Sequence, residues 1–253
     1  MKRFDLMKNC MRPWSLIAFV GALSTLLIAS LAPTPVAADE IQSSIARGGK
    51  LYDNWFHAIG ADKPTKTHPA WPASNTQKKG DVTQRCKSCH GWDGLGKDGA
   101  YASGSYKTGI KGVKGMWGAD PVKIVAVMKD KTHGFAGKME DEDFRDLALF
   151  VSQGMVDMDK YIDRTAKAPK AGNKDAGAAY YNTICAGCHR QDGKWPKDME
   201  ETLGAVAGNP WETMHKIMNG QPGEPMPSLR ALPGREQIVM DIMAHLATLP
   251  KKR

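Results

Sequence analysis

Four of the five cysteines fall into two identical arrangements, Cys86-Lys-Ser-Cys89-His90 and Cys185-Ala-Gly-Cys188-His189, and no other feature limits the chain so severely. Each arrangement sets two thiols three positions apart and an imidazole directly after the second. Two disulfides in an exported chain would also use four cysteines. Two CxxC pairs could instead build a tetrahedral zinc site. Neither explains why a histidine follows both pairs. The composition predicts one such pattern about 0.003 times in this chain, so finding it twice is not an accident.

The spacing is that of covalent haem attachment. Two thiols so placed reach the two vinyl groups on one edge of a porphyrin, and the next residue brings an imidazole under the iron. Cys86, Cys89, Cys185 and Cys188 are therefore expected to bind two haem c groups, with His90 and His189 as the proximal iron ligands. Cys10 stands apart, in the charged start of the chain.

The first 38 residues read as a separate object. Lys2, Arg3, Lys8 and Arg12 oppose a single Asp5, and Ser15 to Ala32 carries no charge. Pro33 and Pro35 are expected to break any helix, and Val36-Ala37-Ala38 offers small residues to a peptidase. This is the layout of a secretory signal, residues 1–38, cleaved after Ala38. The rival is an uncleaved N-terminal anchor, since eighteen uncharged residues could just span a bilayer. Either way the rest of the chain is expected in the periplasm, with no membrane span once the signal is cleaved. Residues 39–253 hold 31 Lys and Arg against 26 Asp and Glu, so the net charge falls from +8 to +5. The signs are interspersed and no basic stripe carries interleaved aromatics, which speaks against a nucleic-acid partner.

The chain resembles dihaem c-type cytochromes built from two class I cytochrome c domains, over most of residues 40–250, with the two CxxCH motifs as the most specific part. The resemblance implies an all-α fold of two helical domains, each wrapped around one covalent haem. Domain 1 is expected over 39–165, with a long insertion at about 57–84, and domain 2 over 166–253. A repeat supports the division: Gly49-Lys-Leu-Tyr52-Asp-Asn54 is similar to Gly177-Ala-Ala-Tyr180-Tyr-Asn182, and each precedes a CxxCH. Gly177, Tyr181 and Cys185 stand four apart and share one helix face. The family's N-terminal helix offers a small residue and an aromatic to its C-terminal helix. Those C-terminal helices are expected at Asp141–Val151, with an acidic first turn, and at Glu236–Leu249. Tyr161 to Ala176 has no apolar period and reads as a linker. The insertion carries His57, His68 and Trp71 with Gly60, Pro64, Pro69 and Pro72. A loop of this length is uncommon without a role; the readings are cover for a haem edge, a docking surface, or a plain surface loop.

Each iron needs a second axial ligand or a vacancy. Methionine raises the potential, a second histidine lowers it, and an open site admits ligand chemistry. Met226-Pro227 follows a helix expected at Pro210–Asn219, on a proline-rich stretch where this family carries its distal methionine, so Met226 is expected on the second iron. For the first iron, aligning Met128 with Met218 sets Met139 opposite Met226. His133 lies on the same loop and is the alternative, ahead of Met116 or a vacancy. His57, His68, His215 and His245 are expected to be structural.

Two haems on one small exported chain imply electron transport between periplasmic or membrane-bound redox proteins, through small transient interfaces, rather than an enzyme. The alternatives are a dihaem oxidoreductase, thiosulfate dehydrogenase-like or peroxidase-like, and the cytochrome subunit of a larger dehydrogenase complex. The thiosulfate enzymes use a distal cysteine, and all four mature cysteines here are consumed by attachment. A peroxidase needs an open iron.

Overall fold

A computed structural model describes residues 35–253, with side chains from Asp39 onward. The described chain is mostly helical: α1 (Pro35–Ala58), α2 (Cys86–His90), α3 (Pro121–Met128), α4 (Asp141–Leu149), α5 (Lys174–Tyr180), α6 (Ala186–His189), α7 (Leu203–Val206), α8 (Pro210–Asn219) and α9 (Arg235–Leu246). Two two-residue strands, β1 (Ile162–Asp163) and β2 (Ala168–Pro169), are the only strands among the described residues. The expectation of an all-α chain holds. The side chains of the expected signal lie outside the described residues. The backbone of Pro35–Ala38 opens α1, so Pro35 starts a helix instead of breaking one. The first helical position needs no N–H and suits the fixed φ of proline.

The helices start and stop for local reasons that repeat between the halves. Asp120 precedes Pro121, and its Oδ1 accepts from the Val122 N–H at 2.9 Å. Asn209 precedes Pro210, and its Oδ1 accepts from the Glu212 N–H. Each is a side-chain N-cap followed by proline at the first helical position. At α4 the Asp143 carboxylate accepts from the Glu140 N–H at 2.9 Å.

Two helix crossings repeat as well. α1 lays Ile45, Tyr52, Trp55 and Phe56, at i, i+7, i+10 and i+11, into a cluster with Phe144, Leu147 and Phe150. A Cβ added at Gly48 would strike the Asp146 carbonyl and the Phe150 side chain. In the second half, a Cβ at Gly177 of α5 would strike the Asp241 carbonyl of α9. Four residues on, Tyr52 packs against Phe150 with ring centres 5.4 Å apart, and Tyr181 packs against His245 at 5.0 Å. The repeat is thus Gly48/Tyr52 with Gly177/Tyr181. This corrects by one residue the register in which Gly49 and Tyr52 match Gly177 and Tyr180. Gly49 faces elsewhere: a Cβ there would meet Asn219 of α8. Adjacent glycines offered the sequence no way to choose between them.

The Tyr161–Ala176 stretch is also corrected, from linker to structure. β1 and β2 pair antiparallel, Ile162 opposite Pro169. The Asp163 carboxylate accepts from the Thr165 and Ala166 N–H groups at 2.8 and 2.9 Å to hold the turn. Ile162 is buried in the second apolar cluster.

That second cluster joins Tyr181, Met214, Met218, Val239, Ile242 and Met243 with Trp92, Met158 and Ile162 from before residue 165. The polar contacts cross in the same way. Asp53 is buried, paired with Arg85 and, at 2.9 Å, with Lys216 of α8. Burial alone would raise its pKa, but Lys216 and Arg85 overcome this and hold the carboxyl well below the usual carboxylate range. His215 Nε2 donates to the Gly49 carbonyl at 2.9 Å. Arg230 donates to the Gly154 carbonyl and to Asn219 Oδ1. Residues 39–253 form one compact unit.

Candidate functional site

The two cysteine pairs sit on short helices with the same supports. α2 carries Cys86, Cys89 and His90 in little more than one turn. A π-turn, Tyr181–Cys185, runs into α6, which ends at His189. The Tyr52 hydroxyl donates to the Gly91 carbonyl at 2.7 Å, and the Tyr181 hydroxyl donates to the Arg190 carbonyl at 2.6 Å. Gly91 and Arg190 are the residues directly after the two motifs. The aromatic that packs the helix crossing thereby also fixes the exit of each CxxCH.

No disulfide joins Cys86, Cys89, Cys185 and Cys188. Burial pushes Cys86 up to about 12, Cys89 up to about 11 and Cys185 up to about 11. A redox-active dithiol needs the opposite, a surrounding that favours thiolate. Among the described residues, no three His, Cys, Asp or Glu side chains come together as a metal-binding group, whereas a structural zinc site takes four ligands.

The histidines are oriented alike. His90 Nδ1 lies 2.9 Å from the Lys111 carbonyl, and His189 Nδ1 lies 2.9 Å from the Trp195 carbonyl. A carbonyl oxygen can only accept, so in both rings Nδ1 carries the hydrogen. Nε2 is left with its lone pair, the nitrogen a metal needs, and the Nδ1 bond fixes the ring. These residues fit the axial half of a haem site, and the cysteines spaced beside them fit its covalent half.

The expected distal residues differ in setting. Met226 is half-buried on the irregular stretch after α8. That stretch is anchored at both ends: the Gly220 N–H donates to the Lys216 carbonyl at 2.7 Å, and the Leu229 N–H donates to the Ile217 carbonyl at 3.2 Å. The Met226 carbonyl itself is 3.5 Å from Lys50 Nζ. Met139 is buried in the first apolar cluster, with Phe135, Phe144 and Leu147. His133 stands opposite His90, with ring centres 6.3 Å apart and planes 24° from parallel. His133 Nδ1 lies 3.0 Å from Asp130 Oδ1.

Several residues of this region gave no sequence signal of a role. His68, in the insertion, is buried. The Ala70 N–H donates to its Nδ1 at 3.1 Å, so its Nε2 is the donor to the His133 carbonyl at 2.9 Å. Trp71 Nε1 donates to the Asn75 carbonyl, and Asn75 Nδ2 donates to the Ser105 and Lys107 carbonyls, so the insertion is packed rather than loose. Lys87, between the paired cysteines, is buried with its ammonium 4.4 Å from the Trp92 ring centre and 4.9 Å from that of Tyr106. Burial pulls its pKa down to about 8. Among the described residues, no helix is long and apolar enough to cross a membrane.

No family model, curated protein or solved structure matches this chain.

Proposed function

We propose that this chain is a periplasmic dihaem cytochrome c, formed of two class I cytochrome c domains (39–165 and 166–253), that carries electrons between redox partners. The observation that carries the reading is the duplicated CxxCH, each copy with its histidine held through Nδ1 by a backbone carbonyl and its Nε2 presented. Cys86 and Cys89 would hold one haem c, and Cys185 and Cys188 the other. His90 and His189 would be the proximal ligands. Met226 would be the distal ligand of the second iron, and Met139 or, in its place, His133 that of the first. Bound haem supplies a reversible one-electron couple.

The chain's own residues support this role in three ways. The Lys111 and Trp195 carbonyls fix each imidazole and raise its basicity. The Gly48 and Gly177 crossings set the helices that flank each motif. Buried Lys87 lies between the cysteines of the first motif, where its charge would favour the reduced, less positive iron. The first 38 residues would export the chain, and its partners would be periplasmic or membrane-bound redox proteins.

The test is the mass of the mature protein purified from the periplasm. Two haem masses that survive acid–acetone extraction are expected, and Cys86→Ser with Cys89→Ser should remove one of them. A product with no added haem, its thiols oxidised in pairs or holding zinc, would overturn the proposal.

A further inference from the structure

We infer that His133, and not Met139, is the sixth ligand of the first iron, and that His68 of the insertion is the residue that positions it. The inference rests on the haem attachment proposed above and names a residue for the position left open there.

The geometry is specific. An imidazole nitrogen binds a first-row metal at about 2.0–2.1 Å and lies about 1.1 Å from its own ring centre, so two imidazoles on opposite sides of one metal have centres roughly 6.2 Å apart. The His90 and His133 centres are 6.3 Å apart. Both rings have Nδ1 engaged with an acceptor, the Lys111 carbonyl for His90 and the Asp130 carboxylate for His133. In both, the hydrogen therefore sits on Nδ1 and the lone pair on Nε2. Among the described residues neither Nε2 has a hydrogen-bond partner. Two imidazoles with Nδ1 engaged, their centres one metal's width apart and their planes 24° from parallel, match the spacing of an axial pair. Met139 already has a place, inside the apolar cluster.

The His133 loop is held from two sides. Asp130 Oδ1 accepts from the His133 backbone N–H at 2.8 Å as well as meeting its ring. From the other side, His68 donates to the His133 carbonyl at 2.9 Å. His68 is fixed in turn: its own N–H donates to Thr83 Oγ1 at 2.9 Å, and Thr83 donates to the Gly80 carbonyl at 2.6 Å. The long insertion of the first half, which the second half lacks, thus reaches across to the loop that carries the sixth ligand. A histidine on the first iron and Met226 on the second would also set the two potentials apart, the first lower, and give electrons a direction through the chain.

The experiment uses the full holoprotein with both haems attached, in oxidised and titrated forms. Electron paramagnetic resonance and the methionine–iron charge-transfer band should report one bis-histidine haem and one histidine–methionine haem in equal amounts. This needs no substitution, and two methionine-ligated haems would overturn the inference. His133→Ala should convert one haem to high spin and shift one potential, with added imidazole restoring the low-spin signal. Met139→Leu should leave both spectra as they were; loss of a methionine–iron band on that change would overturn the assignment. His68→Ala should keep two haem masses yet move the first potential, and His68→Gln, which retains a donor, should restore it. An unmoved potential in His68→Ala would remove His68 from the positioning role. A chain with no haem mass fails at the earlier proposal, before any ligand is in question.

Discussion

His215 shows how one residue can set a pH limit on the whole chain. It is fully enclosed, its ring 5.0 Å from that of Trp92 and 5.5 Å from that of Phe150, and its Nε2 donates to the Gly49 carbonyl. Burial pushes its pKa from 6.5 down to about 4, with Asp53 opposing the shift. Between those two values the unfolded chain takes up a proton that the folded chain refuses. Stability must therefore fall as pH drops from about 6.5 to about 4, by up to about 3 kcal/mol from this residue. His215→Gln keeps a donor for Gly49 and should flatten the slope of unfolding free energy against pH in that window. An unchanged slope, measured by denaturant titration at several pH values, would show that another group dominates.

Among the elements, the glycine crossings are the most demanding. α1 meets α4, and α5 meets α9, so closely that the space where a side chain would begin is filled by the Asp146 and Asp241 carbonyls. Gly48→Ala and Gly177→Ala must each push a helix away, at a cost of about 1–3 kcal/mol, as overpacked sites do. Gly115→Ala, where a Cβ would meet nothing within contact distance, should be close to neutral and serves as the control. Thermal or denaturant midpoints of the three variants check the ranking. The same crossings place Tyr52 and Tyr181 over the residues that follow each motif. Loosening them should therefore loosen the histidine as well.

For the molecule as a whole, the apolar clusters do not respect the repeat. Trp92, Met158 and Ile162 precede the expected boundary and are buried with the residues that follow it. Asp53, Gly49 and Gly154 all bond to α8 or to Arg230 beyond it. A chain tied in this way should unfold in one cooperative transition, with tryptophan fluorescence and far-ultraviolet circular dichroism coincident along a guanidinium titration. Two separate transitions would show that each half is stable alone. Residues 39–165 expressed by themselves should aggregate or remain unfolded, because Trp92 and Ile162 would lose their cover.

How much of this was legible beforehand depended on the range of the interaction. The duplicated CxxCH, the Asp-Pro and Asn-Pro helix starts and the Pro210–Asn219 helix are written in neighbouring residues, where covalent spacing and capping act over a few positions. The helical class came from the resemblance carried by the two CxxCH motifs, with the apolar spacing of α4 and α9 in support. What lay beyond the sequence were choices between chemically equal candidates. Gly48 and Gly49 are the same residue type one step apart, and only the crossing with α4 picks the first. His133 stood out only by its loop, beside Met139, and His68, 65 positions away, carries no local mark. The folding of the insertion onto the loop after α3 brings one to the backbone of the other, where the His133 ring stands across from His90. Tautomer and reach, which make an imidazole a ligand, are properties of its hydrogen-bond partners, and those come from other elements of the fold.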